Sequence, residues 1–512
     1  MRSKSLVVVW SVLALASCAR AQGVNPCASL MSFKGPGVEI TKTVPIAAGS
    51  TEPNPYGPGH SAPLPAYCRV EGVINKRTGV GGEQFGVNFA LAMPDNWNGD
   101  FLMQGGGGGN GVVFPPLALT AAGDTPGLIR GFAVVSTDTG HTSHRGPFDF
   151  DFMKDQQAYL DFAYLANALV AALAKQLIAQ YYGKPAAFSY FAGCSTGGRE
   201  GMILSQRYPD SFDGIISGDP AMRTGLSNLA IGRWIPVAFN HIAPKDADGK
   251  PIIAQAITDR DRKLIIDSLL KQCDAQDGVA DGMISDPLSC DFDPAVLTCK
   301  GGRTDSCLTS DKVAAIKKAI GGPKTAGGIQ VYPGFLYDTG IAVESPIRGI
   351  LSPGPGIFGP ATTAMEVDVE KEVLADAQPL VDSMSVNLTT FSAHGGKLIF
   401  YHGDSDPWFS PLDTFNYYKD MAAANGGLSV VSKWSQFYFM PGMGHCGGGP
   451  GLDQFDLLGA MVNWVEKGNA PASVIATGKA FPGRSRPLCP YPKHAHYKGH
   501  GDTEDASNFE CR

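Results

Sequence analysis

Gly193-Cys194-Ser195-Thr196-Gly197 has the form G-x-S-x-G, and a serine so placed does one kind of chemistry: its hydroxyl attacks an acyl carbon once a neighbouring base takes its proton. The apolar run Ala187 to Ala192 precedes it and Gly198 to Gln206 follows with helical spacing, so the order is strand, tight turn, helix. Small residues at 193 and 197 let the backbone turn sharply enough to lift the hydroxyl clear of the strand. With 64 glycines in the chain the pentapeptide can arise by chance, so its partners have to be found elsewhere. Tyr401-His402-Gly403-Asp404-Ser405-Asp406-Pro407 follows an apolar strand and offers two acids, Asp404 and Asp406. After the strand at Phe437 to Met440 a loop carries His445, and the chain order serine, acid, histidine is the one this turn geometry uses. His402 is a rival base ranked below His445. Cys194 is a rival nucleophile, but its place beside the turn apex points it away. Cys194 precedes the serine and Cys446 follows the histidine, so a working Ser195–His445 pair brings these two within disulfide reach.

Two other stretches could do chemistry. Gly105-Gly106-Gly107-Gly108-Gly109-Asn110-Gly111 follows a short strand, Asp100 to Gln104. A loop of this kind supplies one backbone N–H to a developing oxyanion, and the residue after the nucleophile supplies another. The alternatives are a flexible linker and, more weakly, a phosphate loop, since no G-K-[ST] follows. Cys273 to Met283 sets Asp274, Asp277 and Asp281 in a glycine-punctuated loop whose oxygens suit Ca²⁺. No Glu stands at the twelfth position of an EF-hand, and turn or helix-cap aspartates are the competing reading.

The elements that must position these groups read as strands (Phe85 to Pro94, Asp100 to Gln104, Gly131 to Asp138, Phe212 to Gly218, Gly396 to Gly403) alternating with helical stretches such as Asp155 to Tyr182. The alternation predicts an α/β fold with a parallel sheet and helices on both faces. It stops at Asp219, leaving an insertion too long for a connection. We therefore expect an α/β-hydrolase core over 22–218 and 391–512, with 219–390 as a lid that selects substrate, holds the acidic loop and contains the turn Pro353-Gly354-Pro355-Gly356. Residues 23–82 read as a Pro- and Gly-rich arm stapled by Cys27 and Cys68.

Of 512 residues 17% are charged, against roughly 25% on average, and the net charge of −7 gives no basic footprint for nucleic acid. Residues 1–21 have the form of a signal peptide, Arg2 and Lys4 preceding an apolar run too short to span a bilayer, with an A-x-A site before Gln22. Leu15-Ala16-Ser17-Cys18 also reads as a lipobox that would lipidate Cys18. We favour soluble export, and no later stretch reads as a transmembrane helix. The other ten cysteines are an even number, for which disulfides are the default in an exported chain; no C-x-x-C points to metal.

Cys194-Ser195, Asp406 and His445-Cys446 together resemble the tannase and feruloyl esterase family, over nearly the whole mature chain and including the 273–283 loop. The resemblance implies Ser195 as nucleophile, His445 as general acid–base, Asp406 as orienting acid, and the N–H groups of Gly108 and Thr196 as the oxyanion hole. It implies structural Ca²⁺ held by Asp274, Asp277, Asp281 and the carbonyls of Val279 and Met283. It pairs Cys27 with Cys68, Cys194 with Cys446, Cys273 with Cys290, Cys299 with Cys307 and Cys489 with Cys511. Gly193 to Met202, Tyr401-His402-Gly403 and Arg486 to Pro492 are shared with a terephthalate-monoester hydrolase of that family, but 330–385 is shorter and lacks that enzyme's aromatic stretch and carboxylate-binding arginine. The expectation is a secreted serine esterase for feruloyl or related hydroxycinnamoyl esters of plant polysaccharide, with Trp408 and Phe409 as candidate pocket walls. Galloyl or terephthalate-monoester hydrolysis are the enzyme alternatives, and a silent carbohydrate-binding scaffold the non-enzyme one.

Overall fold

A computed structural model describes residues 26–512, apart from 56, 303–304, 355–359 and 376–377. The leader 1–21, the lipobox residue Cys18, Gln22 and the Pro355-Gly356 half of the lid turn lie outside the described residues.

Nine strands form one sheet: β1 Val38–Ile46, β2 Tyr67–Thr78, β3 Gln84–Pro94, β4 Phe101–Gln104, β5 Ala133–Thr137, β6 Ser189–Cys194, β7 Gly214–Gly218, β8 Lys397–Gly403 and β9 Ser435–Met440. Their order across the sheet is β1-β2-β3-β5-β4-β6-β7-β8-β9. From β5 to β9 every pairing is parallel, and β4 to β7 are buried along their whole length, so they read as unbroken apolar or small-residue runs. The other edge corrects the all-parallel expectation: β1, β2, β3 and β5 pair antiparallel. The missed strand β1 leaves only Ile40 buried, so Glu, Lys and Thr on its open face hide the strand signal.

Helices cover both faces. Gln156–Tyr182 is long and apolar enough to cross a membrane, yet more than half of it is buried, and it packs against β3 and β5 as a core helix. A π turn at Asp161–Leu165 interrupts it, and the buried Arg199 guanidinium donates to the carbonyls of Phe162 and Ala163 there. Between β7 and β8 the chain leaves the sheet and builds a separate apolar core around Phe239, Ile265, Leu269, Ile316 and Leu351.

Because β4, β6, β7, β8 and β9 are parallel, their C-terminal ends lie along one edge of the sheet. The glycine loop, Ser195, Asp219, Asp406 and His445 all follow those ends. That edge is where open α/β sheets bind ligands.

Candidate active site

Ser195 joins β6 to the helix Thr196–Arg207 at φ 64° and ψ −124°, a conformation that costs a non-glycine residue on the order of 1–3 kcal/mol. Three hydrogen bonds hold it there. Its N–H donates to Gly218 O at 3.0 Å, and its carbonyl accepts from Arg199 N at 3.0 Å and Ala221 N at 3.1 Å. The flanking glycines are required by contact: a Cβ on Gly193 would sit 2.5 Å from the carbonyl oxygen of Gly197, and one on Gly197 2.8 Å from that of Gly106.

His445 is buried, and its Nδ1 is 2.7 Å from Asp406 Oδ2. The other oxygen of Asp406 accepts from the N–H groups of Trp408 (2.8 Å) and Phe409 (3.2 Å), so the carboxylate is oriented from both sides. Burial acts to raise the pKa of Asp406, and the two imidazoles of His445 and His402 outweigh it, holding the carboxyl well below its ordinary range. Of the two candidate acids only Asp406 meets an imidazole. Asp404 is buried with neither carboxylate oxygen hydrogen-bonded, and burial together with nearby Asp338 pushes its pKa far up. His402 lies behind Asp406, fully buried, with Nδ1 on Thr414 Oγ1 (2.9 Å) and Nε2 on the carbonyl of Phe409 (3.0 Å). Both its ring nitrogens are therefore engaged inside the protein.

A disulfide joins Cys194 to Cys446 with their Cα atoms 6.0 Å apart, which removes Cys194 as a nucleophile and ties the serine turn to the histidine loop. The other bridges are Cys27–Cys68, Cys273–Cys290, Cys299–Cys307 and Cys489–Cys511. Among the described residues no hydrogen bond joins Ser195 Oγ to His445 Nε2, which lies 3.7 Å from Cys446 Sγ; contacts of this kind commonly tighten with substrate bound.

The glycine loop is fixed by an acid that the motif search did not single out. Glu200, fully buried on the Thr196–Arg207 helix, accepts from Gly106 N at 3.0 Å and Asn110 Nδ2 at 2.6 Å. Gly105 N is bonded to Ala192 O and Gly109 N to Pro147 O. Among the described residues the N–H groups of Gly108 and Thr196 donate to no protein acceptor, while the Thr196 hydroxyl donates to the carbonyl of Gly108 and draws the two residues together.

Ser195, Thr196 and Gly108 open into a cavity of about 230 Å³ walled by Phe148, Phe150, Phe162, Trp408 and Phe409, among others. The rings of Trp408 and Phe409 lie 4.5 and 5.3 Å from that of His445. Past Asn228, Ile231 and Trp408 the cavity continues into a groove of about 470 Å³ along the lid. Phe148 and Phe150 were missed because they sit in a loop with no periodic signal. Asp219 was missed although it directly follows a buried strand end, the position that marked the other site residues.

In the acidic loop Asp274 accepts from the N–H groups of Asp281 and Gly282, Asp277 from Val279 N and Ser285 Oγ, and Asp281 from Met283 N and the Arg486 guanidinium. Asp277 is buried, and desolvation followed by the charges of Asp281 and Asp274 raises its pKa. The carbonyls of Val279 and Met283 accept no hydrogen bond among the described residues. The loop thus offers oxygen donors only, the type a hard cation takes, although each carboxylate oxygen here already accepts a hydrogen bond from the protein.

The family model for tannase and feruloyl esterase matches residues 68–350 and 360–512. The chain is 36% identical to the mono(2-hydroxyethyl) terephthalate hydrolase of Piscinibacter sakaiensis, over 88% of this chain and 85% of that protein. It is 30% identical to feruloyl esterase B of Aspergillus niger, over 82% of each. Feruloyl esterase B from Aspergillus oryzae superposes with a TM-score of 0.76 at 25% identity, covering 95% of this chain and 99% of that one.

Proposed function

The chain belongs to the tannase and feruloyl esterase family and is a carboxylic ester hydrolase; from that premise we propose that it hydrolyses esters of aromatic acids through Ser195, His445 and Asp406. His445 takes the proton of Ser195 as the hydroxyl attacks the ester carbonyl, and the N–H groups of Gly108 and Thr196 receive the oxyanion. The imidazolium then protonates the departing alcohol and the acyl group stays on Ser195. Water activated by the same imidazole releases the acid. The observation that carries this reading is the 2.7 Å His445–Asp406 contact on the strand edge that holds Ser195, with a disulfide between the neighbours of serine and histidine.

Feruloyl and related hydroxycinnamoyl esters of plant polysaccharide are the favoured substrates. The cavity beside Ser195 is an aromatic slot, and the lid groove beyond it has room for a bulky sugar alcohol. Rates on methyl ferulate, methyl gallate and mono(2-hydroxyethyl) terephthalate test this: methyl ferulate should give the highest kcat/KM, and a tenfold advantage for either rival would displace it. Ser195→Ala should lose at least about 10⁴-fold in kcat with an unchanged circular dichroism spectrum.

The Asp274–Met283 loop holds structural Ca²⁺ through Asp274, Asp277, Asp281 and the carbonyls of Val279 and Met283, a reading supported by the donor chemistry of the loop. When bound, the ion would neutralise the crowded carboxylates. Secretion is supported by the five disulfides, since such bonds persist in oxidising compartments.

A further inference from the structure

Beneath the His445–Asp406 pair lies a second acid and a second imidazole that the proposed reaction does not use. Asp219 follows β7 at φ +37° with no exposed surface. Its Oδ1 accepts from Gly403 N at 2.7 Å and its Oδ2 from Cys446 N at 2.8 Å, while its own N–H donates to Tyr401 O at 3.0 Å. One carboxylate thus ties together the ends of three neighbouring segments: the turn after β7, the acid loop after β8 and the histidine loop after β9. Backbone N–H donors favour the charged form of a carboxylate while burial opposes it, and a buried charge needs a partner of opposite sign.

His402 supplies that partner. Its Nε2 is 3.6 Å from Asp219 Oδ1 and 3.3 Å from Asp406 Oδ2, besides the carbonyl of Phe409 at 3.0 Å. The Phe409 carbonyl calls for a proton on that nitrogen, and the two carboxylates beside it favour the charged ring. The other charged groups near the cluster are accounted for. His445 pairs with Asp406, Asp413 from the helix Pro411–Ala424 pairs with Arg223, and burial and Asp338 push the pKa of Asp404 far up.

Resting on the Ser195–His445–Asp406 reading, we infer that His402 and Asp219 are positioning residues: a buried imidazolium–carboxylate pair that fixes Asp406 and the His445 loop from behind. The arithmetic of charge gives the reason. With His402 charged, Asp219 is balanced and Asp406 is left as the sole counter-ion for His445 when that ring takes the serine's proton. A neutral His402 would leave two carboxylates facing one imidazole, and the spare charge would oppose the developing oxyanion. Burial lowers the basicity of His402, but Asp219 and Asp406 outweigh it and raise its pKa. Asp219, raised by burial to about 6, is still ionised at neutral pH.

Side-chain ¹⁵N NMR of the full disulfide-bonded chain tests the pair. One of its ten imidazoles should keep both ring protons at pH 8, where a free imidazole is almost wholly neutral. That signal should vanish in His402→Gln and become neutral in Asp219→Asn. If no imidazole stays charged at pH 8, the inference is wrong, whatever the variants do. Kinetics separate charge pairing from a merely structural role. Each single variant should lower kcat about 10- to 100-fold with KM changed less than about twofold, while Asp219→Asn/His402→Gln, which removes both charges, should be faster than either single. A double variant whose loss is the product of the two would overturn the pairing, as would a double that fails to fold where the singles fold. Retained turnover in Ser195→Ala would sink the nucleophile assignment instead, leaving the NMR result to be judged separately.

Discussion

Two acidic clusters in this molecule solve the same electrostatic problem with different materials. At the strand edge, Asp219 and Asp406 are matched by His402 and His445 and by backbone N–H groups from neighbouring strands. In the lid loop, Asp274, Asp277 and Asp281 receive N–H groups of their own loop, and among the described residues the side-chain cations that pair with them are Arg484 and Arg486, 203 and 205 residues on from Asp281. The first cluster is balanced by residues that sheet register delivers, so the fold itself completes it. In the second, all six carboxylate oxygens accept a hydrogen bond from the protein, but three negative charges face two guanidiniums, one of which is shared with Glu504. Charge matched by residues that register delivers differs in this from charge left in excess within one loop, and the proposed Ca²⁺ addresses the second case.

The comparison can be broken at either end. Asp406→Asn should cost about 10⁴-fold in kcat, because the imidazole loses the partner that sets its orientation and tautomer. A chelator should not reproduce that loss at 25 °C in protein that stays folded; if it did, the lid loop would belong to the catalytic machinery and the division would fail. Replacing both Cys194 and Cys446 by serine releases a link between residues 252 apart and should lower stability by up to about 5 kcal/mol by urea titration. The same exchange at Cys299 and Cys307, eight residues apart, should cost about half as much.

A third buried group sharpens the contrast. His141 is buried against Phe152, with ring centroids 3.6 Å apart and neither ring nitrogen hydrogen-bonded, and desolvation lowers its pKa to about 4. His402, equally buried but facing two carboxylates, is shifted the other way. Because the folded pKa of His141 lies below the unfolded value of about 6.5, its stabilising contribution is present above that pH and is lost as the pH falls toward 4, by about 3 kcal/mol. His141→Phe, which keeps the stacked ring, should flatten this part of the pH–stability curve. An unchanged acid slope would count against the assignment. Removing Ca²⁺ with a chelator should cost roughly 2–3 kcal/mol if the ion normally stands near 100 times its dissociation constant. Asp277→Asn should abolish that dependence.

Much of this was legible in the sequence for a physical reason. Buried parallel strands are unbroken apolar runs and candidate reactive residues follow their ends, so Ser195, His445 and the pair Asp404 and Asp406 stood out by position. Position alone did not separate Asp404 from Asp406, since both follow β8 and only the direction of the side chain distinguishes them; the family resemblance is what pointed to Asp406. The antiparallel edge was not legible, since Lys and Thr on β1 mask the alternation. Glu200 under the glycine loop and Asp219 under His402 act across 94 and 184 residues, and no local spacing records contacts of that range.

The most direct measurement traps the acyl-enzyme. Wild-type chain mixed with an activated ferulate ester and quenched within the first turnover should carry one feruloyl group per molecule, and peptide mapping should place it on Ser195, with no adduct in Ser195→Ala. A feruloyl group on any other residue, or an equal rate of ester cleavage in the alanine variant, would contradict the account.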